Sequence, residues 1–143
     1  MSQVRQSATP IFFDHPIVAG ETDVDANGHV NNIVYLRWIQ EAAVAHWTSA
    51  TTADLRAEVS WVVVRHEIDY KKPAFPGDDL IARTWVDVIT AATTERRCEI
   101  LRRDCELLLA QSRTIWCAID PRTGRPRRMD PRIRAYFIDG IEA

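Results

Sequence analysis

The chain is short of several things, and each shortage closes off a reading. No apolar run approaches the length that crosses a bilayer, and the first ten residues, Met-Ser-Gln-Val-Arg-Gln-Ser-Ala-Thr-Pro, hold no apolar core of the kind a secretory leader needs. Only three cysteines occur, Cys98, Cys105 and Cys117; the number is odd and none is spaced Cys-x-x-Cys. A disulfide framework and a zinc site are therefore poor readings, and free thiols in a reducing cytoplasm are expected. The net charge of -2 lacks the basic excess of a nucleic-acid binder. There is no internal repeat, low-complexity tract or linker. With 46% apolar and 27% charged residues, one globular domain over residues 1–143 is expected, with 1–10 as a flexible tail.

What is present changes period along the chain. Residues 11–20 read as a strand, and Pro16, lacking an N–H, suggests an edge position. From about Asn31 the pattern is helical. Arg37, Gln40, Glu41 and Thr48 share one polar side, and Tyr35, Leu36, Trp38, Ile39, Ala42, Ala43, Ala45, His46 and Trp47 fill the rest. A helix apolar over so wide an arc has to be wrapped, and a curved sheet is the natural wrapper. Residues 51–58 read as a short helical or irregular bridge.

A period of two follows. Val62, Val64, His66, Ile68 and Tyr70 share one face of a strand, and 71–78 is a turn. Leu80, Ala82, Val86 and Val88 share a face of the next strand. Residues 94–103 are charged on both faces, which suggests an edge or a wet interface. Asp104-Cys105 reads as a tight hairpin, and Leu107, Leu109, Ile115, Cys117 and Ile119 as one face of a last strand over 106–119. A loop over 120–131 and a helical turn at 131–138 close the chain. The expected class is α+β: a strand, one long buried helix, then four strands in meander order curled round it.

Between the first strand and the helix stand Asp23, Asp25, Asn27, His29, Asn31 and Asn32. Asn31 or Asn32 is a good N-cap, and free N–H groups at a helix start favour negative charge. The run Asp23-x-Asp25-x-Asn27-x-His29-Val30-Asn31-Asn32-x-x-Tyr35-x-x-Trp38-x-x-Glu41 resembles the thioesterase branch of the hotdog fold, of the 4-hydroxybenzoyl-CoA thioesterase type, and is also similar to plant acyl-ACP thioesterases. Tyr70-x-x-Pro73-x-x-x-Gly77-Asp78 looks like a turn of the same family.

The resemblance implies a curved antiparallel sheet round one central helix and hydrolysis of acyl-CoA to free acid and coenzyme A. It implies a catalytic carboxylate at Asp25, a thioester carbonyl held by backbone N–H groups near Asn31 and Asn32, and a homodimer or dimer of dimers with the site between subunits. No cofactor is implied beyond the coenzyme A of the substrate, no nucleic acid or membrane is expected as a partner, and an acyl carrier protein is an alternative carrier. The plant enzymes' further acid has no counterpart near Pro73 and Ala74. A related branch with its acid inside the helix would point to Glu41, but Glu41 lies beside Arg37 on the polar side, and a structural role is expected.

Thioester hydrolysis needs an activated water or a nucleophile, and a polarised carbonyl. Asp25 can act as general base or attack directly. Asn27 can hold the water or orient Asp25. His29 can be a second base, a donor to the thioester, or a loop-ordering residue. Asp23 reads as a loop-folding residue, Tyr35 as core more than site, and His46 and His66 as buried, hydrogen-bonded histidines. Arg122, Arg125, Arg127 and Arg128, and next Lys71 and Lys72, are candidates for the nucleotide phosphates. No metal site is expected, because no histidine and aspartate pair shares helical ligand spacing. A non-catalytic acyl-CoA-binding protein on the same fold remains an alternative; a hydratase ranks last, its motif being absent.

Overall fold

The computed structural model describes residues 9–139. The elements in chain order are β1 (Thr9–Pro10), β2 (Phe13–Val18), a 3-10 turn (Glu21–Asp23), α1 (Asn32–Ala50), α2 (Ala53–Glu58), β3 (Ser60–Tyr70), β4 (Asp79–Ile89), β5 (Thr93–Arg102), β6 (Leu108–Ile119), α3 (Pro131–Phe137) and β7 (Ile138–Asp139). The predicted tail is partly structured: Thr9 and Pro10 pair with Asp139 and Ile138. Residues 1–8 of that tail lie outside the described residues.

One antiparallel sheet carries the fold, in the order β2-β4-β5-β6-β3. This is α+β with the sheet against a single long helix, as the sequence implied. Pro16 stands in the edge strand β2, where its missing donor faces no neighbour. The meander holds only for β4, β5 and β6. β3 pairs with β6 at the far edge, so 71–78 is not a hairpin turn. It is a strap across one end of the sheet, with Lys71 and Lys72 donating to the Leu109 carbonyl, the Ala74 carbonyl accepting from Val30, and Gly77 donating to Ala19.

Three face assignments fail, two of them because of bulges, since one extra residue turns the following alternation over. In β3 the irregularity at Val64 puts Val63 opposite Trp116 and His66 opposite Thr114, so Val62 and Val64 lie exposed while His66 and Ile68 turn inward. In β4 the shift between Val86 and Val88 leaves Val86 buried and Val88 exposed. In β6 the inward face carries the buried Ala110, Ser112, Thr114 and Ala118; of the predicted face only Leu109 is fully buried. The turn before β6 spans 103–107 rather than two residues, with Glu106 at φ 55°.

The strand expected at an edge or a wet interface, β5, is the centre of the sheet, so the edge alternative fails. Glu95, Arg97 and Glu99 point to the outer face, where Arg113 pairs with Glu95 and Glu67, and Arg97 with Asp87. Thr94, Arg96, Cys98 and Ile100 point inward and are buried.

The interior divides along α1. Trp38, Ile39, Ala42, Leu80, Ala82, Ile100 and Leu109 form a core under its first half. Leu55, Val59, Val86, Ala118, Ile133 and Phe137 form a second core under its last turns, closed by α2 and α3. Removing a large side chain from either, Trp38 or Phe137 to Ala, costs about 3–5 kcal/mol.

Candidate active site

Asp25, Asn27 and His29 lie on one small hairpin before α1, with Asp23 and Asn31 flanking it. Val24 and Val30 form an antiparallel bridge. Beyond it the Asp25 N–H donates to the His29 carbonyl at 2.9 Å, and the Gly28 N–H to the Asp25 carbonyl at 3.1 Å. Gly28 sits at φ 77°, which a side chain would strain. One carboxylate oxygen of Asp25 accepts from the Asn27 N–H at 2.9 Å. The other makes no hydrogen bond with any described residue. Asn27 thus orients Asp25 through its backbone, while its amide stands exposed.

Asp23 is held differently. Its carboxylate accepts from the Gly20 N–H at 2.9 Å and from Arg37 at 3.0 Å, and the side chain is 11% exposed. The Gly20 hydrogen bond, more than the Arg37 charge, keeps its carboxyl below the ordinary range despite burial. Its carbonyl takes the Asn31 N–H. Asp23 therefore anchors the loop to the helix. Glu41 pairs with Arg37 one turn along α1, at 3.5 Å.

Asn31 caps α1: its side chain accepts from the Ile33 N–H at 3.2 Å and its carbonyl from the Val34 N–H. That leaves the Asn32 N–H as the first helical donor with no partner among the described residues. Asn32 is tied down by its carbonyl, which accepts from the Tyr70 hydroxyl at 3.0 Å. The strap completes the rim. His29 is exposed and its ring meets Phe75 edge-on at 5.3 Å. Tyr35 is 2% exposed, packed edge-on against Trp38 and Tyr70, with its hydroxyl accepting from the Ala74 N–H. Burial raises the Tyr35 hydroxyl pKa, so it stays protonated.

Asp25, Asn27, His29, Asn31, Asn32, Lys71 and Lys72 thus gather at one end of the molecule. The arginines do not. Arg122, Arg125, Arg127 and Arg128 follow β6 at the end where Ile119 pairs with Ser60. That is the whole length of β3 away, roughly 30 Å at ~3.3 Å per residue. Arg127 is also engaged, donating to the Glu58 carbonyl at 2.8 Å and facing Asp130. Among the described residues no group of three His, Cys, Asp or Glu side chains is arranged to hold a metal. All three cysteines are free, and no described helix is long and apolar enough to cross a membrane.

A cavity of about 310 Å³ lies at the arginine end, beside the last turns of α1. Arg96 and Trp116 line it, and neither was singled out from the sequence. The signal was present for Arg96, since alternation puts it on one face with Cys98 and Ile100.

The chain matches the profile of the thioesterase-like superfamily over residues 20–137. No curated protein sequence matches it. Its fold is similar to that of a 1,4-dihydroxy-2-naphthoyl-CoA thioesterase of Synechocystis, with TM-score 0.76 and 21% identity over 87% of this chain and 95% of the other. A DHNA-CoA thioesterase of Staphylococcus aureus gives 0.75 and 21%, over 83% and 81%. The PA5185 protein of Pseudomonas aeruginosa gives 0.80 and 19%, over 90% and 93%.

Proposed function

The chain belongs to the thioesterase-like superfamily, on the hotdog fold, and from that membership we propose that it hydrolyses acyl-CoA thioesters to the free acid and coenzyme A. The observation that carries the reading is the Asp25 carboxylate. One oxygen is fixed by the Asn27 N–H, and the other is left unpartnered on the same small hairpin that leads into the open Asn32 N–H.

In this reading the thioester carbonyl points its oxygen at the Asn32 N–H, where the helix dipole favours the charge that develops there. The free oxygen of Asp25 takes a proton from a water as the water's oxygen bonds to the carbonyl carbon. The tetrahedral oxyanion then collapses, the C–S bond breaks, and coenzyme A leaves as a thiolate. Direct attack by Asp25, giving an anhydride that water opens, uses the same atoms and remains the variant of this mechanism. His29, against Phe75, keeps strap and loop together at the rim. Lys71 and Lys72 stand on the strap that completes that rim.

A homo-oligomer with the site between subunits is part of the proposal. Two features support it. β3 is an eleven-residue edge strand that exposes Val62 and Val64, and α1 exposes Ile33 and Val44, apolar surface that solitary sheets avoid. The arginines, far from Asp25 within one chain, would meet a nucleotide only if a second copy brought them there.

The test is a panel of acyl-CoA esters and one acyl carrier protein thioester, with release of free thiol as the readout. The reading expects turnover of acyl-CoA by the parent and its loss in Asp25→Asn. Binding without turnover across the panel would instead establish a non-catalytic acyl-CoA-binding protein. The arginines are tested by replacing Arg122, Arg125 and Arg128 with Ser: KM for acyl-CoA should rise about tenfold while KM for the matching acyl-pantetheine, which lacks the nucleotide, stays the same.

A further inference from the structure

The cavity at the other end of α1 is unlike an ordinary packing defect. Trp47, Trp61, Trp116, Val59 and Ile133 supply apolar walls, with Trp47 and Trp61 edge-to-face at 5.5 Å. Into this wall reaches Arg96, which is 6% exposed. Both of its hydrogen bonds leave from one nitrogen, Nη1, to His46 Nδ1 at 2.9 Å and to the Thr84 hydroxyl at 3.1 Å. The Phe137 ring lies 5.6 Å from its guanidinium carbon. Its Nε and Nη2 groups make no hydrogen bond with any described residue.

Among the described residues no carboxylate answers this buried charge. The cavity lining holds two arginines and no aspartate or glutamate. The neighbouring Glu95 and Glu99 lie on the outer face of the sheet, at positions of opposite parity to Arg96. His46 is neutral as well, its pKa pushed down to about 3 by burial and then by the Arg96 charge. Arg96 itself, lowered to about 10 by desolvation, remains a cation at neutral pH. A buried ion left without a counter-charge is costly, and structures rarely carry one without a use for it.

We propose that this cavity binds a small monocarboxylate with an apolar body, the carboxylate accepting from the unpartnered Nε and Nη2 groups of Arg96 and the body lying among Trp47, Trp61 and Val59. The volume suits about ten non-hydrogen atoms at ~30 Å³ each, the size of octanoate. Within one chain this site is separate from Asp25. It stands about 20 Å along α1 from the helix start, at 1.5 Å per residue from Asn32 to Trp47. The proposal goes beyond thioester hydrolysis and does not depend on it, although that reaction releases a ligand of this class.

Octanoate and its neutral analogue octanamide, titrated calorimetrically into the full chain with no thioester present, test it. Octanoate should bind on the order of tenfold or more tighter than octanamide, and Arg96→Met should remove that preference. Asp25→Asn should bind octanoate as the parent does, which separates this site from the hydrolytic one. Equal affinity for the two ligands in the parent chain overturns the proposal, as does octanoate binding that survives Arg96→Met unchanged or that is absent at millimolar concentration.

Discussion

The two ends of α1 handle polar groups in opposite ways. At the N-terminal end they are many, crowded into one loop, and bonded chiefly to backbone: Asp25 to the Asn27 N–H, Asn31 to the Ile33 N–H, Asp23 to the Gly20 N–H. At the C-terminal end they are few, buried, and bonded through side chains: Arg96 to His46 and Thr84. The first arrangement leaves a carboxylate at a rim in contact with water. The second holds a cation in a largely apolar cavity wall. The lesson is that polarity at a rim can be read as chemistry, whereas a polar group in the wall has to be tested against the stability it costs.

Among changes that act on stability, the largest expected effect belongs to the buried end. His46 titrates in the unfolded chain near 6.5 but only near 3 in the folded one. Because the unfolded state binds the proton first, stability is full above 6.5 and is lost as pH falls toward 3. At about 1.4 kcal/mol per pH unit, that is about 3 kcal/mol between pH 6.5 and 4. Burial lowers His66 too and adds in the same direction. Asp23, also lowered, loses its stabilising contribution only as pH drops below its ordinary value of 3.8. Denaturant unfolding at stepped pH should show the slope in the parent and a shallower one in His46→Gln.

Next in size is Arg96→Met. If the guanidinium is kept for a ligand and not for the fold, unfolding free energy should be unchanged or higher by about 1–2 kcal/mol. A loss of more than that would make Arg96 a structural residue and erase the contrast between the two ends. Asn31→Ala is the smallest, about 1 kcal/mol from the lost cap, with a fall in turnover as the helix start frays. Calorimetric midpoints read the first part and a thiol assay the second.

These contrasts were unevenly legible in the sequence. The helix, its cap at Asn31 and its polar side at Arg37, Gln40 and Glu41 follow from local periodicity and side-chain chemistry. So does the gathering of Asp25, Asn27 and His29 on one short loop. Strand faces beyond a bulge were not legible, because the extra residue at Val64 or Asp87 has no local signature and reverses everything after it. The place of β5 was misread because ion pairs across an outer face look, in one strand, like the charges of an edge. Arg96 went unnoticed inside that charged run for the same reason. The partner of β3 was hidden too, since a strap and a hairpin turn share the residues Pro73, Pro76 and Gly77.

The central claim is that the Asp25 carboxylate reacts and does not merely shape the turn. Asp25→Asn separates the two roles, since an asparagine oxygen still accepts from the Asn27 N–H while the charge is gone. The decisive measurement is kcat/KM for the best acyl-CoA of the panel, taken with the unfolding midpoint of the same sample. The account predicts a fall of about 100- to 10,000-fold at an unchanged midpoint. Parent-like turnover in Asp25→Asn would contradict it and return Asp25 to the turn.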